Sequence, residues 1–326
     1  MKTKRLVWNQ VDKSKITLNS LVEEYLLVCR TEGKSPKTLR GYREKLGSFS
    51  RWLEGNLGDF TLQAVRTYVG ELQRAMKFEG HPYNPVQDKG LSSVTIKGHV
   101  VVIKGFATWL YEEEYTGENV LARLRPPKAT RKVMATLSET EINRILSSIE
   151  QDTLSGYRNT AVVLLFLDTG LRCAELVGLR MDDLFLADQC LKVMGKGQKE
   201  RIVPFGGSNS KGLLRYLNLR PQINSCSSVF LNRDGGPFTE NAVKMVFERL
   251  AKKASVPRLH IHLLRHTMAT NYLLSGENPI KLQRILGHET LEMTRRYVDM
   301  VAVQTAVTES KQSPVDRMRL KKVLGK

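Results

Sequence analysis

Between residues 20 and 116 apolar side chains return every three or four positions, a spacing that puts them on one face of a helix and forces those faces to pack together. Leu39, Tyr42, Leu46, Phe49 and Leu53 make one stripe; Val65, Tyr68 with Val69, Leu72 and Met76 make a second; Ile96, Val100, Ile103, Ala107 and Leu110 make a third. Ahead of them, Ser20 and Glu23 have the spacing of a capping box, followed by Tyr25, Leu26 and Leu27 and a stop at Gly33. Ser35-Pro36 then has the pattern of an N-cap followed by proline at the first helical position. Four amphipathic helices predict a small bundle. Residues 78–90, FEGHPYNPVQDKG, read as a loop between the third and fourth helices.

The stretch 117–136, GENVLARLRPPKATRKVMAT, carries two prolines and five cations (Arg123, Arg125, Lys128, Arg131 and Lys132) against one acid, which predicts an extended linker that touches phosphate. Beyond it the pattern is mixed. Ser138 and Glu141 form another capping box, helices are predicted at 139–150, 158–169, 240–253 and 263–274, and CLKVMGKGQKERIVPF, residues 190–205, alternates around a glycine-rich turn as a β-hairpin does. The expected organisation is a helical domain over 1–116, a basic linker over 117–136, a mainly α domain with a small β-hairpin or sheet over 137–305, and a basic tail over 306–326.

With 326 residues, 41% of them hydrophobic, the chain can bury two cores. Its longest apolar run, Ala161 to Leu167, is far below the roughly 20 residues needed to span a bilayer, and MKTKRLVWNQ has no apolar h-region, so a cytoplasmic protein is expected. Cys29, Cys173, Cys190 and Cys226 are scattered, which fits neither a zinc knuckle nor a disulfide framework. The 51 Lys and Arg outnumber the 33 Asp and Glu, for a net charge of +18. An excess of that size repels itself unless a polyanion neutralises it, and nucleic acid is the expected partner.

Four short segments carry candidate chemistry. In TGLRCAEL, residues 169–176, Gly170 ends an apolar helix, Arg172 starts the next turn where backbone amides favour an anion, and Glu175 follows within reach of Arg172; a surface ion pair at a cap explains the segment equally well. The turn GKGQKER puts Lys196 between glycines, with Lys199 and Arg201 behind it, as an ordinary solvated turn also does. LHIHLLRHTMATN, residues 259–271, sets His262 and Arg265 three apart at the start of a helix. His260, His262 and His266 invite a metal reading, but their spacing, without a cysteine or a nearby carboxylate, matches no usual zinc pattern. LGHETLEMTRRYVD, residues 286–299, carries His288 and Tyr297; alone Tyr297 reads as a core aromatic, while Arg295 and Arg296 beside it suggest a surface facing phosphate.

Taken in order, Arg172, Lys196, His262-x-x-Arg265, His288 and Tyr297 resemble the signature of the tyrosine recombinases, the phage integrase family, and within it the compact Xer-like branch. TEGKSPKTLRGYREKLGSFSRWL and VTIKGHVVVIKGFATWLYEEEY resemble that family's N-terminal core-binding domain, so the resemblance covers nearly the whole chain. The 78–90 loop is long for the family, and Asn119-Val120 stands where Asn-Pro is usual.

The resemblance implies a mainly α fold with a four-helix core-binding bundle and a catalytic domain with a small sheet. It also implies site-specific cutting and rejoining of double-stranded DNA through a 3′-phosphotyrosyl intermediate, without metal, ATP or any other cofactor. Tyr297 would attack phosphorus with His262 as the base, Arg172 and Arg265 would hold the non-bridging oxygens, Lys196 would protonate the departing 5′-oxygen, His288 would hydrogen-bond the phosphate, and Glu175 would orient the site. Further cations, Arg123, Arg125, Lys128, Arg131, Lys132, Lys199 and Arg201, would contact DNA. The implied assembly is a homotetramer, or one with a related recombinase, on two DNA sites at the nucleoid, with bundle and catalytic domain clasping the duplex, the tail docking on a neighbouring protomer and an accessory directionality factor as a further partner. The arm before residue 16 looks too short for an arm-site domain. Three rivals stand beside this reading. A type IB topoisomerase-like enzyme shares the tyrosine chemistry but relaxes supercoils as a monomer, and the N-terminal helical bundle favours a recombinase; a DNA-binding protein that has lost catalysis would lack reactive side chains; a metal-dependent nuclease would need clustered carboxylates.

Overall fold

The computed structural model describes residues 16–77, 87–128, 136–195, 199–223 and 226–309. The chain divides into two compact units, residues 1–132 and 133–326. Among the described residues no helix is long and apolar enough to cross a membrane.

The first unit is built on α1 (Leu18–Thr31), α2 (Pro36–Leu53), α3 (Leu62–Arg74) and α4 (Ser93–Glu112). The caps are the local cause of α2, α3 and α4, because the Ser35, Thr61 and Ser92 side chains each accept a backbone N–H of the first turn that no helical carbonyl reaches. α1 begins earlier than its sequence suggested. Thr17 is its N-cap, so Ser20 lies inside the first turn and its hydroxyl donates to the Thr17 carbonyl rather than capping with Glu23. The predicted stripes face inward: Leu46, Phe49, Val65, Tyr68, Ile96, Val100, Ile103, Ala107 and Leu110 are buried. Met76 is not on the second stripe; it leaves the helix for a short antiparallel pair of β1 (Met76–Lys77) with β2 (Gln87–Gly90). The end of the expected 78–90 loop is therefore a strand, and residues 78–86 lie outside those described. Leu121 is fully buried in this unit's core with Val120 and Leu124 against it, so the chain keeps packing on the bundle past residue 117.

The second unit runs α5 (Glu139–Ser147), α6 (Leu154–Thr169), α7 (Cys173–Val177), an antiparallel sheet of β3 (Leu184–Phe185), β4 (Cys190–Met194) and β5 (Glu200–Pro204), then α8 (Gly207–Leu219), α9 (Glu240–Lys253), α10 (Ile261–Leu274), α11 (Pro279–Leu286) and α12 (Leu291–Glu309). The Ser138/Glu141 capping box forms, and the 190–205 hairpin pairs Leu191 with Val203 and Val193 with Arg201. α8 was not foreseen, because GGSNS at its start favours a turn. It forms because Leu213 and Tyr216 bury beside α6 and because Asp168 accepts the Gly206 N–H and an Asn209 side-chain N–H. α10 is buried nearly all round, with Leu263, Leu264, Met268 and Ala269 in the core, and it packs against both α6 and α12. Those two contacts bring segments more than a hundred residues apart in sequence onto one helix.

Candidate active site

Two chain reversals assemble the site. α6 ends at Gly170, whose left-handed φ of +61° no branched side chain tolerates, and a Cβ there would stand 2.7 Å from Leu286 Cδ2. The turn delivers Arg172 as the residue before α7, where Glu175 receives its backbone N–H at 2.8 Å and its Nη1 at 2.8 Å. α11 ends at Gly287, also left-handed at φ +62°, and delivers His288.

Arg265 is 5% exposed on α10. Its Nη1 donates to the Gly170 carbonyl at 2.5 Å and its Nη2 to the Leu286 carbonyl at 2.8 Å and to His288 Nε2 at 3.0 Å. These neutral partners fix the guanidinium without neutralising it, and among the described residues no carboxylate forms an ion pair with it. Burial, and then Arg172 beside it, lower its pKa to about 10. Because Arg265 donates to Nε2, that nitrogen carries the lone pair, so Nδ1 bears the proton and donates to Thr294 Oγ1 at 2.8 Å. Burial and the neighbouring arginines lower the His288 pKa to about 4, so the ring is neutral.

Tyr297, 1% exposed, stands on α12 amid Met268, Leu273, Leu282 and Leu286. Its ring stacks parallel to His288 with centroids 6.2 Å apart. Its hydroxyl lies 2.8 Å from His266 Nδ1. Burial raises the phenol's pKa, while Arg265 and Arg296 act to lower it. Of the two sequence readings the structure shows the core aromatic: the ring is buried rather than on a surface, with Arg265 and Arg296 near its hydroxyl.

The structure thus gathers Arg172, Glu175, Arg265, His288 and Tyr297. It corrects the expectation that His262 meets the phenol. His262 is exposed on the first turn of α10, and the imidazole bonded to Tyr297 is that of His266, one turn later on the same helix. His266 had drawn notice only as a candidate metal ligand; its place four residues after His262 was the available signal. Lys196 lies outside the described residues, as do Arg131 and Lys132. Arg123, Arg125, Lys128 and Lys199 are exposed, as phosphate contacts need to be.

Arg201 differs from that expectation. Its Nη1 and Nη2 donate to the two Glu175 oxygens at 2.9 Å each and its Nε donates to the Ile285 carbonyl at 2.8 Å, so the guanidinium faces the protein and not solvent. A Cβ on Gly287 would stand 3.0 Å from it. Strand alternation held the clue, since Arg201 shares a strand face with the buried Val203. Glu175 therefore sits between two guanidiniums. Burial alone would raise its carboxyl, but the bonds from Arg201 and from the Arg172 backbone hold it below the usual carboxylate range. Among the described residues no three His, Cys, Asp or Glu side chains gather as metal ligands would.

Residues 135–302 match the sequence profile described as the Phage integrase family. A tyrosine recombinase XerC of Staphylococcus carnosus is 31% identical over 287 residues, 86% of this chain and 92% of that one. A tyrosine recombinase XerD of Staphylococcus saprophyticus is 30% identical over 289 residues, 86% and 94% of the two chains. Among solved structures, a lambda integrase dimer bound to a COC′ core site superposes with a TM-score of 0.69 at 19% identity, over 85% of this chain and 97% of that one. The Tn1549 transposon integrase in complex with a circular intermediate DNA gives 0.67 at 20% identity, over 90% and 99%. At these identities the superpositions show a shared fold.

Proposed function

The chain belongs to the phage integrase family and is a site-specific recombinase that cuts and rejoins DNA strands; from that premise we propose that Tyr297 is its nucleophile, working against a phosphate held by Arg172 and Arg265. The observation that carries this assignment is Arg265: a buried cation, fixed by neutral partners and set close to a second guanidinium, is an arrangement that an anion stabilises. Arg172, with a side chain 34% exposed, can turn its unused donors toward that anion.

In the proposed reaction the Tyr297 oxygen bonds to phosphorus and the bond to the 5′-oxygen breaks, leaving a 3′-phosphotyrosine whose ester energy is kept for rejoining. The transition state gathers negative charge on the non-bridging oxygens, where forked guanidinium donors fit better than an ammonium. A preorganised donor of this kind is worth roughly 3–4 kcal/mol in the barrier. Lys196 protonates the departing 5′-oxygen, His262 adds a hydrogen bond to the phosphate, and Arg123, Arg125, Lys128 and Lys199 contact the DNA backbone; His288, expected to bond the phosphate, instead has both ring nitrogens engaged by Arg265 and Thr294 and so holds Arg265 in place. Because rejoining to a new partner needs two cut duplexes, the assembly is a tetramer on two sites, as a lambda integrase forms on a Holliday junction.

The test is covalent trapping on a duplex selected from a randomised pool and nicked beside the scissile phosphate. The wild-type protein is expected to form a detergent-resistant adduct, with or without EDTA, and Tyr297→Phe to bind the same duplex with no adduct. An adduct from the Phe variant would identify a different nucleophile, and loss of cleavage in EDTA would favour a metal-dependent nuclease.

A further inference from the structure

Among the described residues the polar side chains acting on the Tyr297 phenol are Arg265, Arg296 and His266, and of these only His266 can take its proton. Arg265 and Arg296 lie close enough to act on its pKa, and a guanidinium has donors only. The third neighbour, His266 Nδ1 at 2.8 Å, is the acceptor left for the O–H. That assignment puts the His266 proton on Nε2 and its lone pair on the nucleophile. His288 cannot serve instead, because its Nε2 lone pair already accepts from Arg265 and its Nδ1 proton goes to Thr294.

We propose that His266 is a catalytic residue of this site: its Nδ1 takes the Tyr297 proton as the phenol oxygen bonds to phosphorus, and returns it when the strand is rejoined. The proposal rests on Tyr297 being the nucleophile. In cleavage the O–H bond breaks as the O–P bond forms, the proton passes to His266, and the P–O5′ bond breaks with a proton supplied to the leaving oxygen by a general acid, the role assigned above to Lys196. Rejoining runs each transfer backward, so no proton is gained or lost over the cycle.

The surroundings of His266 make the transfer depend on substrate. The ring faces His262 and Arg265 on its own helix, His260 just before that helix, and Arg296 and Tyr297 on α12. Burial, then Arg296 and Arg265, keep the imidazole neutral, with a pKa lowered to about 4. The lone pair is therefore available at neutral pH, but the ring is a weak base until something offsets the cations. A phosphate bound by Arg172 and Arg265 brings negative charge to the same place and raises the basicity of His266. The nucleophile is thus activated only when DNA fills the site, which protects the buried phenol from reacting at other times.

The experiment measures single-turnover adduct formation from pH 6 to 9 on the nicked duplex chosen from the randomised pool, for the wild-type protein, His266→Gln, His266→Ala and His262→Ala. Gln keeps much of the ring's volume and can hold a hydrogen bond but cannot carry the proton. The wild-type rate is expected to vary little over this range. His266→Gln and His266→Ala are expected to be about 10² to 10⁴-fold slower at pH 7 with unchanged DNA binding, and to gain nearly tenfold per pH unit as hydroxide replaces the missing base. Added imidazole is expected to restore part of the His266→Ala rate. A side chain that merely packs would slow the reaction without changing its pH slope and without rescue by imidazole, and that result would overturn the proposal. So would a steep pH slope in His262→Ala together with a flat profile in His266→Gln. Tyr297→Phe, run in parallel, separates the two readings: an adduct there removes the nucleophile and this proposal together, whereas no adduct there with an unaltered His266→Gln removes this proposal alone.

Discussion

Replacing Arg201 by alanine separates two roles for this cation. On a DNA phosphate it would add to binding; in the fold it instead makes three charge-assisted hydrogen bonds, two to Glu175 at 2.9 Å and one to the Ile285 carbonyl at 2.8 Å, with its side chain 13% exposed. Breaking one side of a buried ion pair costs roughly 3–5 kcal/mol. Glu175 keeps Arg172 as a second partner, so the low end, about 3 kcal/mol, is the expected loss for Arg201→Ala. In a unit of this size each kcal/mol shifts the midpoint by about 2–4 °C, so Tm should fall by about 6–12 °C. Arg201→Lys, which keeps the charge but not the fork, should fall in between. The assay pairs thermal unfolding with DNA affinity measured across salt concentrations. Loss of a phosphate contact would lower the salt slope by about one and leave Tm alone. An unchanged Tm with a reduced slope would refute the reasoning and return Arg201 to the DNA surface.

Two further outcomes can be checked by unfolding. Thr294→Val removes the acceptor of the buried His288 Nδ1–H while keeping the side chain's shape, and should cost about 1–3 kcal/mol in denaturant titration, with Thr294→Ser recovering most of it. His266 and His288 hold pKa values of about 4 in the folded chain, below the ordinary 6.5, so between those values the unfolded chain binds protons that the folded one refuses. Their contribution is complete above pH 6.5 and is lost as pH falls toward 4; stability measured at pH 7, 6 and 5 should therefore decline, and less steeply in His266→Gln.

What the sequence determined by itself was local. Ser35-Pro36, the Ser138/Glu141 box, the Gly170 stop and the alternation about the 195–201 turn each act within a few residues through a cap or a backbone angle, and each element formed there. The pairing of Arg172 with Glu175 was legible for the same reason, being three residues apart on one turn. Tertiary structure decided which groups share a site. His266 meets Tyr297 across 31 residues, and Arg201 meets Glu175 across 26 and Ile285 across 84. It also made a helix of GSNSKGLLRYLNL, whose opening residues favour a turn, by giving Leu213 and Tyr216 a surface to bury against. Periodicity says which face of an element turns inward, but only packing says what that face meets. A proton's destination depends on a partner within 3 Å, and only the packing of α10 against α12 brings one there.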